Sequence, residues 1–175
     1  MISYQLTNTD KELEEILDLQ QRNLPKNISD KEKKEQGFVT VEHSFDTLKK
    51  LHEIHKHTIA KYKNKVVGYT LSMDVSCKND VDVLKPMFHQ IDQVYKDNYI
   101  VMGQVCIDKN FRGKGVFKNL YSFMKESVSA KYNAIITEID AENLRSIKAH
   151  QKIGFTELKR YLSKNQEWII VILEC

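Results

Sequence analysis

The chain has 175 residues, 41% of them hydrophobic and 29% charged, with a formal net charge of +3. That length supports one domain with a full core, and the charge is too mild to demand a nucleic-acid partner. No apolar run approaches membrane-spanning length, Met1–Gln5 lacks a signal-peptide pattern, and Cys77, Cys106 and Cys175 are too few and scattered for a disulfide framework. A cytoplasmic protein is expected.

Ile2–Leu6 alternates as a strand. Thr9-Asp10-Lys11-Glu12 is a capping box that predicts a helix with Leu13, Ile16, Leu17 and Leu24 on one face, interrupted by Pro25. Ser29-Asp30-Lys31-Glu32 repeats the signature on a short helix, and the run Lys31–Glu35 reads as its solvated face. Phe38–Val41 reads as extended and Asp46–His55 as a helix carrying Leu48, Leu51 and Ile54. Thr58–Tyr62 and Val66–Met73 form a hairpin turning at Asn64-Lys65. Residues 76–86, with Pro86, read as a loop. A helix follows with Met87, Ile91, Val94 and Tyr95, then a long strand over Tyr99–Ile107.

Val116, Leu120, Phe123, Met124 and Val128 mark the next helix face, and Ala134–Ile139 an interior strand. Asn143 is placed to N-cap a helix with Leu144, Ile147 and Ile153, ended by Gly154. Phe155–Leu162 and Glu167–Leu173 close the chain as a strand pair around Lys164-Asn165-Gln166. The pattern is α/β with a mixed sheet. The apolar strand Trp168–Leu173 is a candidate for pairing across a homodimer.

The run from Val105 to Phe117 joins a strand, a polar turn, the basic loop Arg112-Gly113-Lys114-Gly115 and a helix start. Glycines allow a tight turn and close ligand approach. Free amides and the dipole at the new helix favour an anion, and Lys109, Arg112, Lys114 and Lys118 add charge. A phosphate-bearing ligand is implied. There is no Gly-x-x-x-x-Gly-Lys-Ser/Thr loop, and no third glycine completes a dinucleotide fingerprint.

Downstream stand Thr137-Glu138-Ile139, Asn143, His150 and Gly154-Phe155. Together with Ile107–Val116 these blocks resemble the Gcn5-related N-acetyltransferase (GNAT) superfamily, over about residues 99–162. The resemblance implies a single domain with about seven mostly antiparallel strands, a central splayed parallel pair and helices on both faces. Residues 1–98 would form the acceptor side and 99–175 the coenzyme side. It also implies acetyl-CoA as cosubstrate, no metal, and a small-molecule or peptide amine as acceptor. The coenzyme diphosphate would meet Arg112, Gly113, Lys114, Gly115, Val116 and Phe117. The pantetheine arm would pair with Val105, Cys106 and Ile107 as an added strand, with Asn143 bonding it or only capping its helix. A bulge commonly assists such splaying.

Glu138 is the candidate base and His150 the candidate acid toward the leaving thiolate. Their spacing equals the Glu-to-Tyr spacing of the similar ribosomal-protein N-terminal acetyltransferases. The competing readings are a solvent-facing or lysine-paired Glu138 and a packed His150. Three departures stand out: Lys109 for a proline, His150 for a tyrosine, and Phe117 for a small residue that lets the diphosphate approach. The Phe117 side chain is therefore expected to point away from it.

Cys106 is read as a buried small residue rather than a nucleophile, and His52, His55 and His57 as too dispersed for a metal. Glu42 and His43 are read as acceptor-pocket lining or loop surface. The rival functions are a non-catalytic acyl-CoA sensor on the same fold and a nucleic-acid binder using 109–118. The latter lacks an aromatic stacking platform.

Overall fold

The computed structural model describes residues 1–32 and 38–175. One seven-stranded sheet runs through the chain in the order β1-β2-β3-β4-β5-β7-β6. The strands are β1 (Ile2–Leu6), β2 (Thr58–Tyr62), β3 (Lys65–Asp74), β4 (Tyr99–Ile107), β5 (Ala134–Asp140), β6 (Thr156–Ser163) and β7 (Gln166–Glu174). The β4–β5 pair is parallel and every other pair antiparallel. The helices are α1 (Asp10–Gln21), α2 (Phe45–Ile54), α3 (Lys85–Val94), α4 (Val116–Val128) and α5 (Leu144–Lys152).

Helices cover both faces. Leu13, Ile16 and Leu19 of α1 and Leu48 of α2 pack on Tyr69 and Leu71 of β3. Leu51 of α2 and Met87, Phe88 and Ile91 of α3 pack on Val101, Ile136 and Ile170. On the other face Tyr121, Met124 and Val128 of α4 meet Ile100, Ile135 and Ile139. The capping box is complete: the Thr9 side chain accepts the Glu12 N–H and the Glu12 carboxylate reaches back to the Thr9 N–H.

Several expectations shift. The first hairpin turns at Lys63-Asn64, both at positive φ (48° and 62°), one residue earlier than read. Pro86 lies in the first turn of α3, where its missing N–H costs nothing. Phe38–Val41 joins no strand, because β2 and β4 already take both edges of β3. Ser29 does accept the Glu32 N–H, but the rest of the predicted charged helix, Lys33 to Glu35, lies outside the described residues. Leu144 is 63% exposed and adds nothing to the core. The proposed pairing of Trp168–Leu173 across a dimer does not fit, since β5 pairs with β7 over Trp168–Glu174 and β6 over Gln166–Ile172, leaving both edges taken from Trp168 to Ile172.

Candidate active site

The central parallel pair opens into a fork. Its ladder holds Tyr99↔Ala134, Ile100↔Ile135 and Val101↔Ile136, then stops. One side-chain bond spans the apex, from the Thr137 hydroxyl to the Met102 carbonyl at 2.7 Å. On the other side of β4, Leu71 pairs with Gln104 and Ser72 with Met102, so Gly103 is an extra, bulged residue. A bulge bends its strand and adds twist. Glycine also leaves room there, since a Cβ would stand 2.6 Å from the Met73 sulfur and that side chain would have to shift. Beyond this bend the β5-facing edge of Val105–Ile107 has no ladder partner.

A cleft of about 590 Å3 occupies the space between that edge, the loop before α4, and α5. Such a volume suits a coenzyme or drug-sized ligand. Val105, Cys106, Ile107, Arg112, Gly113, Gly115, Val116, Phe117 and Asn143 all line it. Gly113 (φ 72°) and Gly115 (φ 78°) take the left-handed conformation that turns the chain into α4. No side chain caps α4 and no acidic residue stands in its first turn, so its leading amides are offered to a ligand.

The cations differ from expectation. Lys118 lines the cleft, whereas the Lys114 ammonium sits over the Phe111 ring, 5.4 Å from its centroid, and Lys109 borders a separate surface hollow. Arg112 turns its guanidinium inward, donating to the Ile107 carbonyl at 3.0 Å and to Asn23 at 2.5 Å. Arg145 and Lys152 of α5 join the lining. They were legible as one helix face, since Arg145, Ser146, Ala149, Lys152 and Ile153 recur at three- and four-residue steps. Asn23, Phe38 and Val39 close the cleft from the N-terminal half, and nothing in their local sequence announces it.

Asn143 caps α5 through its Oδ1, which accepts the Ser146 N–H at 3.1 Å. Cys106 is buried, and burial pushes its thiol up to about 12. It is the small buried residue expected. Glu42 bonds Gln21 and Lys26 at the surface, while His43 is buried, and neither lines the cleft. His57 is fixed inside, accepting the Ser72 N–H and facing the Leu48 carbonyl, and His52 bonds Thr7. Among the described residues no three His, Cys, Asp or Glu side chains gather as a metal site.

Neither Glu138 nor His150 lines the cleft. His150 is 2% exposed and ringed by Phe117, Tyr121 and Phe155. Its Nδ1 lies 2.8 Å from the Ser146 carbonyl, which can only accept, so Nδ1 carries the proton. Nε2 then accepts the Tyr121 hydroxyl at 2.7 Å. Burial, opposed by the Ser146 bond, holds its pKa down at about 4. The structure thus places His150 as a packed neutral imidazole with both nitrogens engaged.

Glu138 stands just past the fork, on the face of β5 that carries Ile136. It is partly buried and accepts a hydrogen bond at Oε2 from the Tyr161 hydroxyl. Burial raises its pKa to about 7, against the lowering effect of that bond. Gln104 stands across the fork on β4, bonded to the Val41 carbonyl at 2.7 Å and to the Tyr69 hydroxyl at 2.6 Å.

A split parallel pair with an uncapped, glycine-led helix beside it makes an α/β scaffold with one open, anion-receiving cleft. Residues 13–155 match the profile of the Acetyltransferase (GNAT) family, and the chain belongs to that family. No curated protein sequence matches it significantly. Among solved structures it is similar to the ribosomal-protein-S18-alanine N-acetyltransferase of Escherichia coli (14% identity, TM-score 0.67, 99% of this chain and 94% of that one). It is also similar to the NatC complex bound to Gag peptide and CoA (14%, 0.69, 99% and 98%). The Salmonella typhimurium protein yncA with its cofactor acetyl-CoA aligns at 13% identity and a TM-score of 0.67, over 99% and 94% of the two chains. At these identities the likeness is one of fold. No described helix is long and apolar enough to cross a membrane.

Proposed function

We propose that the protein transfers the acetyl group of acetyl-CoA to a primary amine of a small molecule or peptide, directly, in a ternary complex. The observation that carries this reading is the fork: the ladder between β4 and β5 ends at Val101, and the β5-facing edge of Val105–Ile107 borders the same cleft as the Gly113–Gly115 loop. That edge suits the amides of a pantetheine arm as an added strand would. The α4 amides, with Lys118, Arg145 and Lys152, suit the phosphates. The residues thus fit the coenzyme.

Glu138 is the base in this reading. An alkyl ammonium has a pKa of about 10, so a proton must be removed before attack, and a carboxylate poised near neutrality is suited to that task. Glu138 takes the first proton from the ammonium and passes it to solvent; the N–C bond then forms as the C–S bond breaks, and the second proton leaves the nitrogen through solvent as the departing thiolate takes one up. His150 serves as packing. Holding both reactants on one scaffold supplies much of the rate. Three free cysteines agree with a reducing, cytoplasmic setting.

The sealed His150 behind Phe117 favours a second reading, an acyl-CoA binder without turnover. Calorimetric titration with acetyl-CoA followed by thiol release across an amine library separates the two. Saturable binding with turnover that Glu138→Gln lowers 100-fold or more supports the enzyme. Binding with no turnover of any amine supports the sensor, and no binding removes both.

A further inference from the structure

We propose that Tyr161 is the positioning residue for Glu138: from edge strand β6 its phenol reaches across β7 and orients the carboxylate, leaving Oε1 for the acceptor amine or a bridging water. This inference rests on the acetyltransferase reading above. Tyr161 pairs with Trp168 on β7, whereas Glu138 pairs with Ile170 of the same strand. The phenol therefore spans the middle strand diagonally to reach Oε2. Its ring packs on the core that holds Ile136 and Ile170, beside Val41, Tyr95 and Leu158. A phenylalanine would fill the same space. The hydroxyl is the part that packing does not require, and it is spent on Glu138.

The chemistry of the pair is one-sided. Burial and the neighbouring carboxylate push the Tyr161 phenol far above its usual range, so it keeps its proton and only donates. A donor to a carboxylate favours the charged form, which is the form a base needs. Among the described residues no fixed charge duplicates that effect. Cys77, Tyr95 and Tyr99 in the same core are all pushed up and stay neutral near pH 7. Asp92 of α3 bonds Tyr99 and Lys78, and Lys159 of β6 bonds Gln93. Asp140, on the same face of β5, bonds Gln166. His43, in the loop that Gln104 tethers through Val41, is neutral because burial holds it at about 4.

The test is a carbon-13 titration of the glutamate carboxyls in the full-length protein, with the Glu138 signal assigned by its loss in Glu138→Gln. Tyr161→Phe is expected to move the Glu138 midpoint upward by about 0.5 to 1.5 pH units, within what a single hydrogen-bond donor does. The acid limb of kcat/KM should move with it. An unchanged midpoint with activity lowered evenly at all pH values would reduce Tyr161 to packing and overturn the proposal. If Tyr161→Phe does not fold, 3,5-difluorotyrosine placed at 161 provides the reverse test: a more acidic phenol should lower the midpoint, and no shift overturns the proposal. The titration needs no substrate, so failure of the acetyltransferase reading (no amine turned over by the wild type) is distinguishable from failure of the Tyr161–Glu138 link.

Discussion

The ring of Phe117 stands edge-on to the imidazole of His150, with their centroids 5.0 Å apart, and Phe117 lines the cleft while His150 does not. The Phe117 ring is also 5.0 Å from Tyr121, so it closes one side of the cage that holds the histidine neutral. The departure from a small residue at 117 and the packing around His150 are thus one structural feature.

Phe117→Ala should open that cage. The half-buried ring leaves a cavity costing about 2 kcal/mol, below the range for a fully buried phenylalanine. The imidazole should hydrate, and its pKa should rise from about 4 toward 6.5. Proton NMR of the His150 ring against pH measures this directly. A midpoint still near 4 in the folded variant would mean that another group shields the imidazole.

Glu138→Gln should lower activity and raise stability in alkaline solution. Burial raises the folded-state pKa from 4.5 to about 7, so the fold favours the protonated acid. That contribution is complete below pH 4.5 and is lost as pH rises through about 7. At pH 8 the wild type holds a partly buried carboxylate that the amide replaces. The gain is on the order of 2 kcal/mol after allowance for partial exposure. Urea unfolding at pH 4.5 and pH 8 should show it growing between the two. A gain of equal size at both pH values would detach it from the ionisation.

How much of this was legible follows from range. The strand over Tyr99–Ile107 and the helix beginning at Val116 were read with their observed bounds, because the glycines between them carry a local conformational demand. The capping box and the Asn143 cap were legible for the same reason. The turn at Lys63-Asn64 was displaced because lysine gives no signal of positive φ. Strand order was not legible: β7 enters between β5 and β6, a non-local choice that places Tyr161 within reach of Glu138. A packed His150 was one of the two readings, but its cage was not legible: it depends on the hydroxyl of Tyr121, which is distant in sequence, and the helix face read there includes Leu144, which is exposed.

Acid should unfold the protein through its histidines. Burial is the leading cause holding His43 and His150 at about 4 and His57 at about 3, against 6.5 unfolded. Depressed values favour the neutral folded form above pH 6.5, and that stability is lost as pH falls through the folded values. At pH 5 the loss is about 2 kcal/mol per histidine, together comparable with the net stability of a domain. Tm should therefore drop steeply between pH 6.5 and 5. His43 contributes a buried Nε2 with no hydrogen-bond partner, so His43→Leu should remove about a third of that slope. An unchanged slope would place the acid sensitivity elsewhere.

Gly115→Ala tests the phosphate loop. A Cβ at 115 meets no atom within 4 Å, so the folded chain has room for it, but φ of 78° is strained for alanine. The backbone cost is about 1 to 2 kcal/mol. The added methyl would also stand beside the uncapped amides of α4, and a lost approach of that kind is expected to weaken CoA about tenfold, equivalent to about 1.4 kcal/mol. Gly154→Ala is the matched control. It has φ of 104°, lies outside the cleft lining, and its Cβ would rest 3.4 Å from Leu173. It should lower Tm by a similar amount and leave the Kd for CoA unchanged. Calorimetric titration of both variants, with their Tm values, separates ligand approach from general weakening. Equal loss of CoA affinity in the two would remove the diphosphate from the Gly113–Gly115 loop.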